Sequence, residues 1–93
     1  MTTDLNYAFD FTRQATLTDR NKQVLIAIYN GIIELDGDAL TQSGLAQRMG
    51  LAKSTIHSHV QTLRSWHLLE EEGYGLWLSV YGERVVKDLL LSR

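Results

Sequence analysis

Cysteine is absent from these 93 residues, which removes disulfides, thiolate metal sites and cysteine nucleophiles and leaves packing as the source of stability. Also missing is any run near the roughly 18 to 20 consecutive apolar residues that would span a bilayer. Residues 1–10 have neither the basic flank nor the apolar stretch of a signal peptide. A soluble, cytoplasmic protein with no membrane partner is expected. With 44% hydrophobic and 22% charged residues, the chain has room for one globular domain with a modest core.

The most informative lack is local. Between Asp38 and Glu70 there is no acidic residue, while Arg48, Lys53 and Arg64 give residues 39–69 a charge of +3. The net charge is −2, so the remainder carries −5. Such segregation fits an anion-binding face on an otherwise acidic protein; the bland alternative is chance clustering.

Along the chain, Leu5, Tyr7, Phe9 and Phe11 alternate with period two, which predicts an extended arm or a frayed terminus over residues 1–17. Residues 18–93 form the domain proper. Thr18 is placed to cap a helix from Asp19 to about Leu35, with Gly37 as its left-handed stop. That helix has one stripe, Val24, Leu25, Ile28, Ile32 and Leu35, and a second, Ile26, Tyr29 and Ile33, so two of its sides need cover. Ala39 and Leu40 allow only a short strand. Thr41 then caps a brief helix ending at Gly50, and a turn leads to a helix over about 53–67 with Ile56, Val60 and Leu63 on one face. The opposite face, with Ser54, Ser58, Gln61 and Ser65 flanked by Thr55, His57 and Thr62, is polar and uncharged. Residues 68–79 read as a hairpin turning at Gly73-Tyr74-Gly75. A last helix over about 80–91 spreads Tyr81, Val85, Val86, Leu89 and Leu90 over half its circumference.

This order is that of a mainly α winged helix-turn-helix fold with a small β-hairpin wing. Gly44, Leu45, Ala46, Gly50, Ile56, Leu63, Leu68 and Leu69 sit where the helix-turn-helix of winged bacterial regulators has such residues, and residues 51–57 resemble the IclR type. Leu78-Ser79-Val80-Tyr81-Gly82 resembles the entry to the last helix of MarR-like dimers. The resemblance covers about residues 18–91 and implies a transcription regulator whose third helix lies in the major groove of double-stranded DNA. These 93 residues do not include the large effector-binding domain of the IclR family, so metabolite sensing is not implied.

On that reading Lys53 meets a phosphate, with Ser54 and Thr55 able to do the same through hydroxyl and backbone N–H. Base reading falls to His57, Ser58, Gln61 and Thr62; Gln61 stands out because its amide can pair in two-pronged fashion with adenine. Arg48 and Arg64 are candidate backbone contacts. The wing reads Glu70-Glu71-Glu72-Gly73-Tyr74-Gly75, whose carboxylates would repel phosphate, so either the wing turns away from the duplex or Tyr74 alone touches it. Surplus apolar surface predicts a homodimer through Phe9, Phe11, Ile26, Tyr29, Ile33, Val85, Val86, Leu89 and Leu90. Trp66 and Trp77 are expected in the core or an interface.

His57 and His59 do not make a metal site, because residues two apart on a helix point about 200° from each other. The Ser and His neighbours in 55–59 lack the strained elbow, orienting carboxylate or glycine-rich phosphate loop that catalysis would require, so neither an enzyme nor a cofactor is expected. The rival class is a winged-helix protein-interaction module that uses its acidic wing and apolar arm and touches no DNA.

Overall fold

The computed structural model describes residues 17–73 and 75–91, the side chains of residues 71 and 72 apart. Four helices and one hairpin follow in order: α1 (Asp19–Leu35), α2 (Gln42–Met49), α3 (Lys53–Ser65), β1 (Leu69–Glu72), β2 (Gly75–Leu78) and α4 (Val80–Leu91). This is the winged helix-turn-helix arrangement expected from the sequence.

Each helix begins and ends for a local reason. Thr18 and Thr41 are extended and accept, on their hydroxyl oxygens, the N–H of Asn21 and of Gly44, at 3.1 Å and 3.0 Å. Ser79 caps α4 in the same way, accepting the N–H of Gly82 at 3.0 Å. At the end of α2, Gly50 takes φ +66° and the Leu51 N–H reaches back to the Ala46 carbonyl. This is the left-handed reversal that glycine permits without a Cβ penalty.

Three boundaries differ from expectation. The left-handed residue closing α1 is Asp36 at φ +46°, one position before Gly37; an aspartate tolerates this region better than most residues. Gly37 follows at φ +107°, a value that suits glycine alone. α3 stops at Ser65, short of His67, because His67 adopts φ +61° and its N–H bonds the Arg64 carbonyl while Leu68 N–H bonds that of Leu63. Leu63 and Leu68, both fully buried, form the apolar contact that accompanies such a reversal. Ala39 and Leu40 form no strand. Two residues give too short a ladder, and one bond remains, from Leu76 N–H to the Leu40 carbonyl at 2.8 Å.

α1 is the central helix, touching α2, α3, α4 and β2. Its Val24, Leu25 and Ile28 meet Leu45 of α2, Ile56, Val60 and Leu63 of α3, Leu76 of the hairpin, and Val85 and Val86 of α4 in one core. Each such side chain, wholly removed from water, contributes roughly 1.5–3 kcal/mol. The strands pair antiparallel with Leu69 opposite Leu78 and Glu70 opposite Trp77. Behind the hairpin, α4 approaches so closely at Gly82 that an added Cβ would fall on the Leu68 carbonyl oxygen. No helix among the described residues is long and apolar enough to cross a membrane.

Candidate nucleic-acid interface

With Ile56, Val60 and Leu63 locked into the core, the 3.6-residue period obliges α3 to turn its other side outward. Lys53, Ser54, Thr55, His57, Ser58 and Gln61 are all exposed there, as are Arg64 and Ser65. One helix therefore presents an ammonium at its first residue and a row of hydroxyl, imidazole and amide groups behind it. Its capping residue, Ala52, provides no side-chain acceptor, so the side chain before α3 leaves the first-turn N–H groups uncovered at the positive end of the helix dipole.

Some of the expected residues are engaged within the chain. Thr62 is half-buried and its hydroxyl donates to the Ser58 carbonyl at 3.1 Å, which leaves its oxygen to accept only. Arg48 lies 2.6 Å from a carboxylate oxygen of Glu34 on α1, with side-chain exposures of 33% and 63%. That carboxylate comes from outside the acid-free segment, so the fold offsets one of its three positive charges. Tyr74 lies outside the described residues. Glu70 is exposed at the start of the wing.

Two contacts had no signal in the sequence. His57 Nδ1 lies 3.2 Å from the Gln42 side-chain oxygen, tying the first residue of α2 to the outward face of α3. His59, two positions on and half-buried, has its Nδ1 2.8 Å from the side-chain oxygen of Asn21, a buried residue of α1. The two rings thus point to different helices, and among the described residues no group of three or more His, Cys, Asp or Glu is arranged to hold a metal ion.

The residues assigned to subunit contact divide. Ile33 is 57% exposed, while Ile26, Tyr29, Leu89 and Leu90 are half-buried. Tyr29, Ile32, Ile33, Trp77 and Leu78 line a cleft of about 330 Å³ between α1, β2 and α4, with Glu83 and Lys87 also on its wall. Val85 and Val86 must be withdrawn from the contact surface: at 1% and 0% exposure they belong to the core of their own chain. The half-circumference of apolar residues on α4 served that core before any partner. Phe9 and Phe11 lie outside the described residues.

Residues 15–62, more than half of the chain, match the family model described as Sigma-70, region 4. The chain belongs to the sigma-70 region 4 family. The matched stretch runs from the approach to α1 into α3, so it contains α1, α2, the turn and all but the last three residues of α3, with the residues likened above to the IclR type, and it ends before the wing. No curated protein matches this sigma-70 region 4 chain. Among solved structures, the M. tuberculosis transcriptional regulator MosR in complex with DNA is similar at 24% identity and a TM-score of 0.66, covering 97% of this chain and 70% of that one. A second MosR structure is similar at 22% identity and a TM-score of 0.64, covering 97% and 66%. Their likeness extends the shared fold beyond the family match, through the hairpin and α4.

Proposed function

We propose that this chain is a sequence-specific, double-stranded DNA-binding transcription regulator that acts in the cytoplasm as a homodimer, with α3 in the major groove. The observation that carries the reading is the outward face of α3, which joins Lys53 at an uncapped helix start to a polar face without acidic side chains. Membership of the sigma-70 region 4 family and the DNA-bound state of the similar MosR structure support it. Lys53 and the α3 N-terminus grip phosphate; His57, Ser58 and Gln61 meet base edges. The exposed side of α1 around Ile33 and the end of α4 form the subunit contact, in the manner of MarR-like dimers, on the strength of the Leu78, Ser79 and Gly82 pattern.

Titration of a labelled random duplex with the intact protein at several salt concentrations tests this. Binding that weakens steeply as salt rises supports the reading, each phosphate contact contributing a log–log slope of about −0.9. No association at low salt would overturn it and favour the interaction module built on the acidic wing.

A further inference from the structure

We propose that Gln42 is a positioning residue for base selection: by accepting a hydrogen bond from His57 Nδ1 it fixes the ring so that Nε2 faces outward as an acceptor. The inference deepens the DNA-binding reading and rests on it.

His57 is exposed on α3 between Lys53 and Gln61, the residues assigned to phosphate and to base. A free imidazole there would turn about its side-chain torsions and exchange its proton between two nitrogens, offering a donor or an acceptor with little discrimination. Here the ring is held from the preceding helix, with Nδ1 3.2 Å from the Gln42 oxygen. An amide oxygen only accepts, so the neutral ring carries its proton on Nδ1 and its lone pair on Nε2. Nε2 lies across the ring from Nδ1 and therefore points away from α2. Gln42 can do this because α2 begins at that residue directly after the Thr41 cap, which fixes the backbone from which the amide reaches α3.

The chemistry then selects bases by class. In the major groove adenine and cytosine present an amino donor at N6 and N4, whereas guanine and thymine present a carbonyl acceptor at O6 and O4. An acceptor at Nε2 pairs with the first class and opposes the second. His57 is thereby expected to prefer an amino base over a keto base at the position it contacts, by roughly fivefold, the worth of one ordinary hydrogen bond. Asn21 holds His59 Nδ1 in the same sense on the far side of α3, but that ring is half-buried, so the outward acceptor belongs to His57.

Two measurements on the full chain test the proposal. In the free protein, ¹⁵N chemical shifts should show His57 with Nδ1 protonated at a pH where the ring is neutral, and Gln42→Ala should lose that signature. An Nε2-protonated ring in the unaltered protein overturns the proposal, whatever the DNA result. Selection from random duplexes should show an amino-over-keto preference at one position per half-site, abolished by Gln42→Ala and by His57→Ala and retained by Gln42→Glu at pH 8.5. Adding Gln42→Ala to His57→Ala should change nothing further. A preference that survives Gln42→Ala overturns the positioning role while leaving DNA binding intact. Absence of duplex binding by the unaltered chain removes the DNA reading and this inference with it.

Discussion

At the scale of single residues, what decides the interface is which side chains the fold has already engaged. Arg48 and Lys53 are both candidate backbone contacts in the sequence, with Lys53 favoured by its place at a helix start; in the structure Arg48 is paired with Glu34 whereas Lys53 stands exposed at the start of α3. A surface pair of this kind is worth under about 1 kcal/mol, so phosphate can compete for Arg48, whereas Lys53 has no ion-pair partner to exchange among the described residues. Lys53→Ala should therefore weaken duplex binding almost equally for all sequences and make the salt dependence shallower by about 0.9 in log–log slope. Titrations of several unrelated duplexes across salt check this, and a change of base preference would put Lys53 at a base edge instead. Gln61→Ala should act in the opposite manner, relaxing one base pair per half-site by roughly 1–3 kcal/mol with little effect on non-specific binding. An unaltered selection profile would remove Gln61 from the reading face.

At the scale of elements, local signals were legible and tertiary ones were not. Thr18, Thr41 and Gly50 mark helix ends by chemistry that acts within four residues, and the structure uses each of them as expected. Ile56, Val60 and Leu63 announce the buried side of α3 through spacing alone. Periodicity says that a face is apolar without saying what covers it, which is why Val85 and Val86 suggested a partner subunit when α1 and the hairpin already enclose them. The pairs Arg48 with Glu34 and His57 with Gln42 join residues on different helices, and their approach depends on how those helices cross. Gly82 shows the same limit. Its place in the motif was visible, its reason was not: α4 needs a residue without Cβ where it meets the Leu68 carbonyl, and Ser79 donates its hydroxyl to His67 and caps α4 at the same junction. Gly82→Ala should destabilise the protein by about 1–3 kcal/mol through displacement of α4, as urea denaturation would report. An unchanged midpoint would show that the helix can withdraw freely.

At the scale of the whole molecule, apolar surface remains among the described residues after the core is complete. Ile33, at 57% exposure, lies on α1 at the cleft beside Trp77, and Leu91, at 84%, lies at the end of α4. A homodimer through this side would cover it and place two copies of α3 on the half-sites of one pseudo-palindrome. Sedimentation equilibrium at micromolar concentration should give a dimer for the intact chain and a folded monomer for Ile33→Glu with Leu91→Glu; an intact monomer, or an undisturbed dimer in the variant, would defeat this arrangement. The contact between Leu76 N–H and the Leu40 carbonyl bears on how the molecule moves. Both residues are almost wholly buried, and the bond fastens the wing to the linker that leads into α2. The Leu76 amide should consequently exchange its hydrogen with solvent far more slowly than neighbouring wing amides, at the rate at which the core around Leu40 and Leu76 opens, so that the wing at Leu76 and the linker into α2 part together.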